Sequence, residues 1–336
     1  MDKLYFWLTL KAIKGLGERS IKKLYTFYKD PKLILESHEK ELEQVVGKEK
    51  AFRIKNRELS FDPQEVLKQV EREGIKYLTL DDEDYPKLLK SIEDPPPVLF
   101  YMGQIKELPL VAVVGTRKPE YYSVSFTKDL IKQLLGMSFG VVSGGAKGID
   151  LLSHRYAEEF GGYTVCVLGF GILNMPKYLE FLLSKGSSII SEFLPAEPPS
   201  DYTFPRRNRI ISGMSQAVFI VEAGINSGAL ITAEYAYKQK KPVYAHIGVG
   251  KSDRWDGCAK LINEGKAKFF RSIEEIIPKG NVHKGNDEIL TLLASPKTFD
   301  ELIDISGLPA KELLRILTDY ELSGKVVKVG AYYRLA

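Results

Sequence analysis

Cysteine is almost absent from this chain: among 336 residues only Cys166 and Cys258 carry a thiol. Two thiols are too few for a disulfide framework or a self-contained zinc site, so both read as core residues of a protein kept in a reducing compartment. Long apolar runs are lacking as well. The N-terminal stretch Met1-Asp2-Lys3-Leu4-Tyr5-Phe6-Trp7 is apolar but broken by charge and followed by Lys11 and Lys14, unlike the uncharged core of a signal or membrane span. A cytoplasmic protein that does not engage membranes is the expectation. Charge of one sign is also missing, since 48 Lys and Arg stand against 44 Asp and Glu. That balance neither demands nor excludes a nucleic-acid partner, and any electrostatic case rests on local clusters. Catalytic groupings are scarce too. His154 has no nucleophile or carboxylate pair at a suggestive spacing, and His246 and Asp253 are too isolated to form a metal site.

The length allows a large core and more than one domain. Residues 1–62 read as short helices, with Leu8, Leu10, Ile13, Leu16, Ile21, Leu24 and Phe27 near helical spacing and a Gly15-Leu16-Gly17 hairpin between two of them. Such a turn is similar to a helix-hairpin-helix motif, whose backbone N–H groups meet a DNA phosphate; a plain turn between helices fits equally well. Residues 63–107 read as a connecting segment: a polar helix from Glu65 to Gly74, a strand at 75–80, then a proline-set lead through Pro95-Pro96-Pro97 into an edge strand. From 108 to 278, apolar runs at 110–114, 140–142, 164–168, 188–191, 217–221 and 242–245 alternate with helical stretches. Continuous apolar strands separated by helices imply an α/β domain with a mainly parallel sheet covered on both faces, and ligands then bind beyond the strands' carboxyl ends. Residues 279–285 read as a linker, and 286–336 as three helices and a two-stranded ribbon, a winged helix. Acidic residues outnumber basic ones there, which favours a protein contact over duplex readout.

The distinctive loops fall at those strand ends. Gly115-Thr116-Arg117-Lys118-Pro119 offers close backbone approach, a hydroxyl and two cations. Ser143-Gly144-Gly145-Ala146-Lys147-Gly148 is a turn with few side chains that opens a helix, where free N–H groups suit a phosphate. It fits neither the GxGxxG dinucleotide spacing nor a GxxxxGK[ST] frame, so neither NAD nor a P-loop nucleotide is expected. The loop Tyr202 to Ser212 sets Arg206, Arg207 and Arg209 beside Phe204 and Asn208. Glu222 to Ala233 contains Ser227 and Gly228 and is followed by Lys238-Gln239-Lys240-Lys241. Cations, N–H donors, hydroxyls and an aromatic platform are what tracking a single strand requires. Arg207 or Arg209 could instead pair with Glu222 or Glu192 inside the fold, and Phe204 could be core.

Val113-Val114-Gly115-Thr116-Arg117, Val142 to Asp150, Ser191-Glu192, Phe204 to Gly213 and Ser227 to Ala233 together resemble the motifs of the DNA-processing protein A family (DprA/Smf), in order along the central domain. The resemblance implies an extended Rossmann-like core, flanked by an N-terminal helical domain of helix-hairpin-helix or SAM-like type and a C-terminal winged helix. It further implies single-stranded DNA binding, a homodimer formed through the core, and loading of the RecA recombinase onto incoming strands during natural transformation, with no cofactor and no catalysis. On this likeness Gly115, Thr116, Arg117, Ser143, Gly144, Gly145, Lys147, Gly148, Arg207, Asn208, Arg209, Ser227 and Gly228 would meet the strand. Phe204 would stack on a base, and Lys238 and Lys240 would extend the groove. Gly257-Cys258-Ala259 departs from a common Gly-Cys-Asn, which puts an Asn contact there in doubt. A rival expectation is an enzyme resembling nucleoside-monophosphate phosphoribohydrolases, with Glu222 or Glu234 acting on a ribose held by the same loops.

Overall fold

The computed structural model describes residues 3–184, 186–248, 253–273, 289–290, 292–293, 295–322 and 324–336. The expected linker at 279–285 and the start of the winged helix at 286–288 lie outside the described residues. The chain divides into two compact units, Met1–Arg271 and Ser272–Ala336.

The first unit begins with helices Lys3–Ala12, Glu18–Tyr28, Pro31–Glu36, Glu39–Val46, Lys48–Lys55 and Pro63–Arg72. Local chemistry sets their starts. Asp30 and Asp62 each accept the N–H of the residue two positions on, at 2.7 and 2.8 Å, with Pro31 and Pro63 next in line, where proline's missing N–H costs nothing. Gly15, at φ 72°, makes the turn between the first two helices. The apolar faces of these helices share one core with the sheet that follows: Trp7, Leu24, Tyr85, Phe100 and Val114 belong to one buried cluster. Each large side chain so buried contributes about 1.5–3 kcal/mol.

That sheet has nine strands: β1 (Lys76–Thr79), β2 (Val98–Gly103), β3 (Leu110–Val114), β4 (Gly140–Ser143), β5 (Thr164–Val167), β6 (Ser188–Ser191), β7 (Val218–Ile220), β8 (Val243–Ala245) and β9 (Lys268–Phe269). Their spatial order is β1-β2-β6-β5-β4-β3-β7-β8-β9. Pairing from β6 across to β9 is parallel throughout, while β2 runs antiparallel to both β6 and β1, so β1 forms the outer edge on that side. Every residue of β3, β4, β5 and β6 is buried, as expected for strands covered on both faces. The chain lays β3, β4, β5 and β6 outward to one side, then returns to set β7 against the other flank of β3. This reversal makes a Rossmann-like switch point between β3 and β7, the place where such sheets bind ligands.

The second unit is a winged helix. Helix Phe299–Ser306 starts on a capping box in which Thr298 Oγ1 accepts the Glu301 N–H at 3.3 Å and Glu301 Oε2 accepts the Thr298 N–H at 2.7 Å. Helix Ala310–Leu322 follows, and strands β10 (Lys297–Thr298), β11 (Val326–Val329) and β12 (Tyr332–Leu335) form a small antiparallel sheet. Ile289, Leu293, Leu302, Leu313, Leu317 and Tyr333 pack as its own core.

Candidate nucleic-acid interface

A cleft of about 950 Å³ opens at the switch point. Its walls include Gly115, Thr116 and Arg117 after β3, Gly144, Gly145 and Lys147 after β4, Phe204, Arg207 and Asn208, and Ser227 and Gly228 after β7. Hydrogen bonds close these segments into a ring. The Ile149 N–H donates to Thr116 O at 3.1 Å, joining the first turn to the second. Arg207 Nη1 donates to Gly144 O at 2.7 Å, joining the second to the third. Asn208 Nδ2 reaches Gly228 O at 3.4 Å, and the Thr116 N–H meets Glu222 O at 2.7 Å, which returns to the start. The cleft is therefore a preformed cradle.

Gly148 is where two of these turns touch. It adopts φ 94°, and a Cβ there would lie 2.3 Å from Thr116 O. Only glycine lets the second turn pass so close beneath the first.

The stretch read as a third loop is a helix, Thr203–Met214, with Pro205 in its first turn where no N–H is required. Helical geometry then sorts its side chains. Phe204, Arg207 and Asn208 stand at i, i+3 and i+4 and line the cleft, whereas Arg206 and Arg209, themselves three apart, face Glu192. Arg209 is 2% exposed, with Nη2 at 2.5 Å from Glu192 Oε2 and Nε at 3.5 Å from Asp94 Oδ2. It does not reach the cleft, and the expectation that it meets the strand is corrected: it is a core ion pair. Arg206 pairs with Glu18 of the N-terminal helices. Arg207 lines the cleft but is only 5% exposed, because its guanidinium is spent on Gly144 O, Val167 O and Asn208 Oδ1. It braces the floor through Nε and Nη1 and lends the cleft positive potential, which leaves Nη2 as its one remaining donor group. Burial, joined by the neighbouring Arg117 charge, holds its pKa below the ordinary guanidinium value.

Arg117 and Lys147 are the exposed cations of the cleft, and among the described residues neither has an ion-pair partner. Phe204 is half-buried, its ring edge-on to Phe170 at 6.1 Å. Ser143 lies beneath the cleft rather than in it: its Oγ donates to Val113 O at 2.7 Å and it is fully buried. Lys238 and Lys240 are not in the cleft at all, since the length of helix Ala229–Lys238 carries them to a separate depression.

Asp150 is the contributor that reading by motif overlooks. Buried under both glycine turns, it accepts the Gly144 N–H at 3.1 Å and the Gly115 N–H at 3.4 Å, so one carboxylate pins two turns. Burial pushes its pKa up to about 6, against the pull of Arg207 and those N–H groups. An acid also lines the cleft wall, where buried Glu222 accepts the Glu120 N–H at 3.1 Å and an Arg254 Nη1–H at 3.1 Å. His154 is buried against Thr164 Oγ1 at 2.7 Å, and burial lowers its pKa to about 3, so it is not a base for anything in the cleft. Burial raises both cysteine thiols to about 12. Among the described residues, no group of His, Cys, Asp and Glu could hold a metal ion, and no helix is long and apolar enough to cross a membrane.

Residues 76–281 match the family model for DNA recombination-mediator protein A, and residues 284–331 match that for the DprA winged helix domain. The chain belongs to the DNA recombination-mediator protein A family. Similar relatives include the DNA processing protein DprA of Bacillus subtilis, 35% identical over 84% of this chain and 98% of that protein. Protein Smf of Synechocystis is 33% identical, covering 77% of this chain and 68% of its own. Among solved structures, DprA from Streptococcus pneumoniae aligns with a TM-score of 0.72 at 31% identity, over 84% of this chain and 99% of that one. DNA processing protein A from Helicobacter pylori, described for its single-stranded DNA binding mode, aligns with a TM-score of 0.53 at 28% identity, over 60% and 94%.

Proposed function

We propose that the cleft binds single-stranded DNA, with phosphates on Arg117, Lys147 and the turn N–H groups and one base against Phe204. The observation that carries this reading is the joint placement of two unpaired cations and a half-buried ring on a rigid cradle at the switch point. Such a site grips the sequence-independent parts of a strand and leaves its base edges unread. In the cell, the protein would coat and protect incoming strands and load RecA onto them, acting as a homodimer. The likeness to relatives that process DNA supports this assignment, as does the Helicobacter protein's described binding mode.

The function is binding rather than catalysis. Of the acids available to a phosphoribohydrolase, Glu234 lies outside the cleft and pairs with Lys266 at 2.5 Å. Glu222 is held by Arg254 and a backbone N–H, positioned as a structural strut. Gel shifts with single-stranded and duplex oligonucleotides at two salt concentrations test the reading. Single strands bind more tightly, and Phe204→Ala weakens them by about 1–3 kcal/mol. Equal affinity for duplex, or base release from nucleoside monophosphates, contradicts it.

A further inference from the structure

One helix runs from the cleft to a separate cluster of cations. Helix Ala229–Lys238 starts at the cleft, where Gly228 and Ala229 form part of the wall, and ends in Lys238, after which Lys240 turns the chain at φ 58°. At about 1.5 Å per residue those ends stand roughly 15 Å apart. Around the far end lies a second depression of about 580 Å³, lined by Lys238, Lys240, Lys241 and Tyr235 together with Arg19 and Glu93. Arg19 comes from the helix that follows the Gly15-Leu16-Gly17 hairpin, so two elements distant in sequence supply one basic concavity.

Its two exposed lysines are not neutralised from within. Lys238 and Lys240 are exposed and have no ion-pair partner among the described residues. Arg19 pairs with Glu93 at 2.6 Å, but both side chains are more than 60% exposed, a geometry that contributes little and is easily exchanged for another anion. Asp94, the other acid of the lining, is turned toward buried Arg209 at 3.5 Å. Lys241 is fixed in the wall, its Nζ donating to Ser212 O at 2.7 Å. The Arg19 helix is braced against the 91–94 segment of the lining, because Lys22 donates to Ser91 O at 3.1 Å and to Ile92 O. Tyr235 adds a half-buried ring.

We propose that this depression is a second backbone-binding site for single-stranded DNA, taking phosphates of the strand that continues past the segment held in the cleft. It rests on the cleft reading for the identity of the ligand, but not for its own residues. Cations on rigid elements with few local counter-charges track phosphates irrespective of sequence.

The test is length dependence. Affinity is measured for oligonucleotides of ~6 nucleotides, enough to fill the cleft alone, and of ~30 nucleotides, using the full chain. Lys238→Ala/Lys240→Ala leaves the short strand's affinity unchanged. It weakens the long strand roughly tenfold near 0.1 M salt and reduces the slope of log affinity against log salt by about 1.4, two contacts at about 0.7 each. Arg19→Ala, on the other element, shows the same length-dependent loss. An equal loss at both lengths, or none at the longer, overturns the second site. Arg117→Ala, by contrast, weakens both lengths; if it weakens neither, the cleft reading fails, while a loss confined to long strands in the lysine variant still upholds the second site.

Discussion

Replacing Gly148 with alanine tests whether the turns hold one another as the cleft requires. At φ 94° and ψ −138° the backbone occupies a region open essentially to glycine, and a side chain there costs about 1–3 kcal/mol. The new Cβ would also lie 2.3 Å from Thr116 O and 2.7 Å from Arg117 Cα and C. These are backbone atoms and cannot swing aside, so forced repacking adds about 1–3 kcal/mol more. The sum, about 2–6 kcal/mol, lowers the melting temperature by on the order of 10 °C for a unit of this size. Relief comes by pushing the Arg117 turn outward, so single-strand affinity falls even where the variant is folded. Gly161→Ala separates strain from collision: Gly161 adopts φ 71°, but nothing lies within 4 Å of its Cβ position. That variant loses only about 1–2 kcal/mol and binds DNA normally. Thermal melting by circular dichroism, with oligonucleotide titration below the transition, reads both effects. If Gly148→Ala melts with Gly161→Ala and binds as tightly as wild type, the contact between the two turns is not what shapes the cleft.

Two further outcomes follow from the same geometry. Arg209→Ala leaves fully buried Glu192 with only the more distant Arg206, at 3.6 Å, and costs about 2–4 kcal/mol in thermal or denaturant unfolding, below the full penalty of an unpaired buried charge, while affinity for single strands below the transition is unchanged because Arg209 lies outside the cleft. A specific loss of binding in a fully stable variant would contradict that assignment. Asp150 has its pKa raised from 3.8 to about 6, so protonation favours the folded state: its carboxyl costs nothing below the unfolded value, and stability is lost as pH rises through about 6. The loss by neutral pH is on the order of 2–3 kcal/mol. Measured against Asp150→Asn, wild-type stability therefore declines between about pH 4 and pH 7. A difference that stays flat over that range would show the carboxyl is not desolvated.

The parallel strands were legible because burial on both faces leaves continuous apolar runs, and the turns after β3, β4 and β7 were legible because small residues and hydroxyls cluster at their ends. What escaped was direction. Arg206, Arg207 and Arg209 look equivalent as neighbours in a basic loop, yet a helix turns about 100° per residue, which brings Arg206 and Arg209 to Glu192 and sends Arg207 to the cleft floor. The spacing of Phe204, Arg207 and Asn208 at i, i+3 and i+4 was the available signal. Lys238 and Lys240, which the family likeness implies extend the groove, follow its last loop in sequence, but ten helical residues carry them out of it. Asp150 was hidden for the opposite reason. It closes a glycine motif and looks like a helix-start acid, whereas its partner Gly115 is 35 residues away across the sheet. Exposure of Arg117 against burial of Arg207 depends on which carbonyls a guanidinium finds, and composition carries no trace of that.

The most direct test of the central claim is the salt dependence of single-strand affinity in the double variant Arg117→Ala/Lys147→Ala. With both unpaired cations of the cleft removed, the slope of log affinity against log salt falls by about 1.4, and binding weakens for every sequence alike. An unchanged slope and affinity in a folded variant would mean that DNA, if bound at all, is held elsewhere.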